Sequence, residues 1–433
     1  MIDHRTLRVA LLGAGSVGSQ VARLLLEHGD DFAERSGASL ELAGILVRDP
    51  DAPRDVELPR ELLTTDAESL IVGADIVIEL MGGIEPARTH ILTALNSGAD
   101  VVTGNKALLA THGAEIFDAA DQVGASVSYE AAVAGAIPII RPLKDSLAGD
   151  RIARIFGIVN GSTNFILDKM DREGLSAEEA QAIATDLGYL EADPTLDLEG
   201  HDAAQKAAIL ASLAFHTRVS MDDVHREGIE NVTADMIEGA RRAGFVIKLL
   251  AVCERLAGSA DDEAISVRVY PALISREHPL ASVHGGNNAV FVEAEAAGPL
   301  MFYGAGAGGV QTASAVLGDV VSAARRHIAG GVGVGESPRQ SLPTAPIGRI
   351  MTRYQITLEV SDEPGVLATI AGILVDGGVS AATVEQTVDD EGTARIVIGT
   401  HRAREQALGD TVARLAESAV VERVASVLRV EGE

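Results

Sequence analysis

Short apolar runs alternate with helical patterns through the first third of the chain. LRVALLG, ELAGILV, ADIVIEL, ADVVTG and ASVSYE read as strands, rich in Val, Ile or Leu or in alternating small residues. Amphipathic stretches such as SVGSQVARLLLEHG and PARTHILTALNSG lie between them. That alternation predicts an α/β domain over 1–150, a parallel sheet with helices on both faces. After about residue 150 the texture changes. RIARIFGIVNGSTNFIL reads as a strand leading into a polar turn, and SAEEAQAIATDLG and AAQKAAILASLAF as helices. AISVRVYPALI and NAVFVEAEAAGPLMFYGAG read as antiparallel strands, which makes 151–307 an α+β region. VQTASAVLGDVVSAARRHIAG is a helix with Gly at its end, spanning about 308–329 and returning to the first domain. Gly330 to Gly348, rich in Gly, Pro and Ser, reads as a linker. Residues 349–433 restart as strand, helix, strand, strand, helix, strand, the βαββαβ order of a small ferredoxin-like unit.

The first strand runs straight into GAGSVG, Gly13 to Gly18, which opens a helix near Val17. A lone GxGxxG is weak evidence, but here it joins the first strand and first helix of an α/β pattern, where dinucleotides bind. Gly13 permits the tight turn, Gly15 admits a pyrophosphate, and Gly18 lets the helix pack close. Ser16 and Val17 sit in the first turn, whose free N–H groups face the phosphates. The second strand, LAGILVRD, ends in Val47 and Arg48 rather than in a carboxylate. A guanidinium forks onto a 2′-phosphate that a carboxylate would repel, so Arg48 tilts the reading to NADP. Asp49, one residue on, leaves NAD open.

Ligands in open parallel sheets sit beyond the carboxyl ends of the strands, and TGNK brings Lys106 to that edge. A surface lysine opening a helix is the bland alternative. YEAAVAGAIP, Tyr129 to Pro138, follows the next strand and is too rich in small residues to fill a core. Asn160, in VNGSTNF, ends another strand in a polar turn suited to a substrate or cofactor. The stretch EADPTLDLEGHDAAQK, Glu191 to Lys206, holds five carboxylates, one histidine and one lysine. Gly188 ends the preceding helix and Pro194 keeps Glu191 on a loop. Asp202 and Lys206, four apart, share a helix face, where an ordinary ion pair is the default. Against that default, the apolar setting of Lys206 points it inward. Burial and a second cation such as Lys106 push a lysine down from ~10.4 toward proton exchange. A dehydrogenase needs such a group to take a hydroxyl proton as hydride leaves carbon.

Composition narrows the partners. A length of 433 residues implies two or three domains, and 47% hydrophobic with 23% charged residues is that of a folded chain. A net charge of −28 argues against nucleic acid and anionic membranes. One cysteine, Cys253, closes no internal disulfide, and no apolar run reaches spanning length; a cytoplasmic protein is expected.

GAGSVG, TGNKALLA, YEAAVAGAIPII, GIVNGSTNFIL, LGYLEADPTLDLEGHDAAQK and YGAGAGGVQTASAVLGD together resemble the homoserine dehydrogenase family, in order over nearly the whole chain. YQITLEVSDEPGVLATIAGIL resembles an ACT domain, an amino-acid-sensing module. The resemblance implies interconversion of L-homoserine and L-aspartate 4-semialdehyde with NAD(P), in threonine, methionine and isoleucine biosynthesis. It makes Lys206 the proton donor and acceptor and Lys106 a second essential lysine. Glu191 and Asp202, with Asp197 and Asn160 beside them, would hold homoserine. It completes the cofactor pocket with Gly188 and Gly306 to Gly308, and assigns a monovalent cation, sodium, to Glu130, Val133, Gly135 and Ile137. It makes the middle region substrate-binding and dimerising, in a homodimer or homotetramer. The last module would bind a feedback effector, threonine, through Asp362, Gly365 and Val366, with Ser361 or Asp362 capping a helix whose early positions include Pro364. Open alternatives are a dimerisation module that binds nothing, another NADP-dependent semialdehyde oxidoreductase, and a non-catalytic sensor.

Overall fold

The computed structural model describes residues 5–190, 193–256, 263–330, 341–388 and 394–432. Its residues cluster into two compact units, one of 1–161, 202–224 and 286–342, the other of 162–201, 225–285 and 343–433.

The elements follow in chain order. They begin with β1 (Arg5–Leu12), α1 (Ser16–Glu27), α2 (Gly29–Ser36), β2 (Ala38–Leu46), β3 (Leu63–Thr64) and α3 (Ala67–Val72). Next come β4 (Ile76–Glu79), α4 (Ala87–Asn96), β5 (Asp100–Thr103), α5 (Lys106–Val123), β6 (Val127–Ser128) and β7 (Ile152–Ile158). Then follow α6 (Gly161–Glu173), α7 (Ala177–Asp186), α8 (Thr195–Leu198), α9 (His201–Phe215), β8 (His225–Arg226) and α10 (Ala234–Arg242). After these lie β9 (Phe245–Leu256), β10 (Ala264–Ser275), β11 (Asn287–Ala294), β12 (Gly298–Ala305) and α11 (Gly309–Ala329). The last are β13 (Met351–Val360), α12 (Val366–Asp376), β14 (Ala381–Val388), β15 (Ala394–Thr400), β16 (Ala403–Arg404), α13 (Glu405–Ala416) and β17 (Val421–Glu431).

In the first unit, β1 to β6 form a parallel sheet in the order β3-β2-β1-β4-β5-β6, the doubly wound order in which the crevice lies where the chain reverses direction across the sheet. Strand residues such as Val9, Leu11, Ile45 and Ile78 are fully buried, as a sheet covered on both faces requires. Val316 and Val320 of α11 pack into that same core, so the helix after residue 308 does return to the nucleotide fold. β12, β11 and β7 pair antiparallel in this unit.

In the second unit the strands run in the order β9-β10-β17-β13-β15-β14. The last four carry the expected βαββαβ topology, with Ile356, Leu358, Ile396 and Leu408 in a core of their own. The linker reading lets this module sit apart, and the structure differs. β17, paired with β13 along one edge, pairs parallel with β10 along the other through Ala272–Ile274 and Arg429–Glu431. Tyr270, Arg268 and Glu431 close a buried network there, with Tyr270 Oη donating to Glu431 at 2.6 Å and Arg268 pairing Glu254 at 2.7 Å. Residues 331–340 of the linker lie outside the described residues.

Candidate active site

The glycine loop has the geometry its spacing implies. Gly13 stands at φ +102°, where a side chain is strained, and a Cβ there would meet the Leu80 carbonyl at 2.8 Å. Gly18 lies so close to Gly13 that only hydrogen fits between them. The cap of α1 is Gly15, with no side-chain bond to its first N–H groups, which leaves them for an anion. Ser16 and Val17 form the first turn. The loop before α11 reaches the same place, because a Cβ on Gly309 would lie 2.7 Å from the Ser16 carbonyl. Gly308, next in the chain to Gly309, thus lies beside the glycine loop, while Gly306 packs on Asn288 and Gly135. Arg48 is exposed just past β2 and has no hydrogen bond or ion pair among the described residues. The Asp49 carboxylate instead closes an Asx turn on the Asp51 N–H, at 2.9 Å.

Lys106 is the first residue of α5, capped by Asn105, whose side chain accepts from the Leu108 N–H and donates to the Gly83 carbonyl. Asn105 thereby fixes the turn after β4 that faces the crevice. The same turn is held from below by Glu79, fully buried, which accepts from the Met81 and Gly82 N–H groups and from the Thr103 hydroxyl. Sequence reading overlooked Glu79; a carboxylate at the last position of an apolar strand was the available signal.

At the head of α9, Asp202 and Lys206 meet Lys106 and Asn160 in a compact centre. The Asp202 carboxylate lies between two lysines, 2.8 Å from Lys106 Nζ through one oxygen and 2.7 Å from Lys206 Nζ through the other. Asn160 donates to the same carboxylate at 2.9 Å, and Lys206 also donates to the Val159 carbonyl at 2.5 Å. Asp202 and Lys206 are both buried. Burial raises the Asp202 pKa, but the charges of Lys206 and Lys106 outweigh it and hold the carboxyl well below the ordinary range. The Asp202–Lys206 contact is thus more than a helix-surface ion pair, since a second lysine, Lys106, distant in sequence, shares the carboxylate.

Two local readings are corrected. VNGSTNF is not a turn: α6 starts at Gly161, so Asn160 sits at a strand-to-helix junction with its amide aimed at α9. In the last module, α12 starts at Val366 behind Gly365 at φ +99°, and no side chain caps it. Ser361, Asp362 and Pro364 all precede the helix, because the left-handed turn at Gly365 delays its start. Glu191 lies outside the described residues. Gly188, at φ +76°, follows α7, and Asp197 lies in α8, both in the second unit. Glu130 is buried, and its carboxylate accepts from the N–H groups of Ile139, Ile140 and Arg141. Its side chain is therefore committed to the fold.

A nicotinamide-dependent dehydrogenase is the class that this doubly wound sheet and lysine-flanked carboxylate define. Residues 13–130 match the family described as homoserine dehydrogenase, NAD binding domain, and residues 138–321 the family described as homoserine dehydrogenase. Homoserine dehydrogenases of Corynebacterium glutamicum, 53% identical over 98% of this chain and 95% of their own, and Mycobacterium tuberculosis H37Rv, 52% identical over 99% of both, are close relatives. A crystal structure of a homoserine dehydrogenase from Thiobacillus denitrificans superposes with a TM-score of 0.90 at 35% identity, over 99% of each chain. A hyperthermophilic archaeal homoserine dehydrogenase in complex with NADPH covers 73% of this chain and 97% of its own, with a TM-score of 0.61 at 27% identity. The chain belongs to the homoserine dehydrogenase family, oxidoreductases that work with a nicotinamide cofactor.

Proposed function

We propose that this chain interconverts L-homoserine and L-aspartate 4-semialdehyde, with Lys206 moving the hydroxyl proton and NADP as the preferred cofactor. The observation that carries the reading is the Asp202 carboxylate shared by Lys106 and Lys206. The nicotinamide, when bound, supplies the hydride chemistry. Lys206 is buried, anchored by a carbonyl and a carboxylate, and holds its Nζ in one place, as a proton carrier must. Asp202, with both oxygens engaged, orients the two lysines. Lys106, 40% exposed, is the more accessible and steadies the oxygen on the reacting carbon. Asn160 and Asp202 take part in holding the substrate, and the family resemblance adds Glu191 and Asp197, the acidic members receiving the substrate ammonium. The test is Lys206→Ala: turnover falls at least ~10²-fold while NADPH binding, followed by nicotinamide fluorescence, is retained. Near-normal turnover at every pH overturns the assignment.

The NADP preference rests on Arg48 being unpaired while Asp49 is spent on its own turn. We assign a sodium ion to carbonyl and carboxyl oxygens at Glu130, Val133, Gly135 and Ile137, the positions the family resemblance gives. Gly135 stands at φ +60° with the Gly306 carbonyl in the space a side chain would take, which crowds oxygens together. Neutral carbonyls suit a weakly held hard cation. The C-terminal module is an ACT-type sensor for threonine, supported by the uncapped N–H groups at the start of α12 beside Asp362, Gly365 and Val366. Exposed Val384 and Val388 on the edge strand β14 and exposed Val375 on α12 support pairing of modules in a homodimer or homotetramer.

A further inference from the structure

Asn288 is 1% exposed, yet neither its side-chain oxygen nor its nitrogen has a hydrogen-bond partner among the described residues. Leaving such a buried group unpaired is costly, and native folds rarely tolerate it without a use. Its place in the fold suggests the use. Asn288 lies on β11 opposite Gly304 of β12, where the strand turns into the Gly304–Gly309 loop that borders the phosphate loop. A Cβ on Gly306 would fall 2.2 Å from the Asn288 Cγ, and one on Gly161 would fall 3.5 Å from its Oδ1. Gly161 in turn follows Asn160, which holds Asp202 beside both lysines. The amide thus lies between the glycine loop of the cofactor pocket and the proton-transfer centre, with two glycines where side chains would block it.

We propose that Asn288 recognises the carboxamide of the nicotinamide ring. A carboxamide offers one acceptor and two donors, and so satisfies both unpaired atoms of Asn288 at once. A substrate carboxylate would satisfy only the Asn288 nitrogen and repel its oxygen. Gly306, half-buried, lies over the amide, with Ala307 and Gly308 exposed beyond it. Ring binding pairs both atoms of the amide.

The experiment is Asn288→Leu, close in size, with Asn288→Ala as a second variant that places no branch beside Gly306. Melting of the cofactor-free protein, NADPH binding by fluorescence, and binding of 2′-phospho-ADP-ribose, which lacks the ring, are compared with wild type. The expected result is an unchanged or raised melting temperature for Asn288→Leu and about tenfold weaker NADPH binding in both variants, the worth of two lost amide bonds. Affinity for the ringless fragment stays unchanged. The 3-acetylpyridine analogue, which lacks the amide donors, binds wild type more weakly than NADP does, and the two variants bind both alike. Equal losses for cofactor and fragment would show that Asn288 supports the loop. A loss confined to the homoserine KM would assign it to the substrate. Unchanged NADPH binding in both variants would remove it from the site altogether.

Discussion

At the scale of single residues, Asp202 decides how the centre behaves. Its two oxygens bridge Lys106 and Lys206 and offset the repulsion between the two ammonium groups. Asp202→Asn removes that anion and destabilises the charged form of whichever lysine takes the proton. Homoserine oxidation needs the proton carrier neutral, so the alkaline rise in its rate moves to lower pH in the variant while the maximal rate falls. A pH–rate profile of kcat checks this, and an unmoved profile contradicts it. The Asp202 carboxyl itself is held far below the ordinary range, so no acidic limb near neutrality belongs to it. Much of this was legible in sequence: the i,i+4 spacing of Asp202 and Lys206 is helical arithmetic, and the apolar run around Lys206 announces its burial. The third partner was less so. Lys106 stands ninety-six positions before Asp202, and only the return of the chain to one sheet edge brings the two together. Asn288 was invisible, since an asparagine at a strand start reads as a turn residue until its lack of partners is seen.

Among the elements, the seam between β10 and β17 changes what the C-terminal module can do. Arg429 of β17 forks onto Glu227 at 2.8 Å through both nitrogens, pairs with Glu405 of α13, and stacks its guanidinium 4.4 Å from the Tyr270 ring centre. Burial raises the Glu227 pKa, but hydrogen bonds from His225 and Arg429 bring it down to about 2. A depressed carboxylate stabilises the fold above its unfolded pKa of ~4.3 and ceases to do so as pH falls toward the folded value. Wild type should therefore lose more melting temperature than Glu227→Gln between about pH 4.5 and 2, and parallel curves would contradict it. Glu431→Ala leaves the fully buried Arg268 with Glu254 as its remaining carboxylate and should cost about 1–3 kcal/mol, read by denaturant unfolding. Deleting the whole module would remove β10's partner as well as the effector site, so Asp362→Ala is the cleaner probe: activity is kept and threonine inhibition lost. Persistent inhibition at the same concentrations contradicts the sensor reading. Sequence reading found the βαββαβ order from its alternation, but β9 escaped it. FVIKLLAVCERL is apolar on both faces and carries Lys248 and Arg255, so its period is neither clearly two nor 3.6.

For the whole molecule, the nucleotide fold was the most legible part, because GAGSVG sits between a strand and a helix and α11 keeps an unbroken amphipathic pattern. The two compact units were not legible, since each gathers three separate stretches of chain and no composition shift marks where they exchange. Cofactor choice belongs to this scale because it couples the end of β2 to the chemistry at the other side of the crevice. Arg48→Asp should weaken NADP far more than NAD, because only NADP brings a 2′-phosphate for the guanidinium to fork onto. Equal losses would leave Arg48 a support of the fold. The proposed mechanism has a buried lysine, oriented by a carboxylate shared with Lys106, move the proton in homoserine oxidation. Steady-state oxidation of L-homoserine by wild type and Lys206→Ala, followed at the nicotinamide absorbance with NADP and with NAD across pH, tests it most directly. The predicted result is activity in wild type, higher with NADP, and a loss of at least ~10²-fold in kcat for the variant at every pH with NADPH binding intact. A variant that keeps near-normal kcat, or a wild type that leaves homoserine untouched, would contradict it.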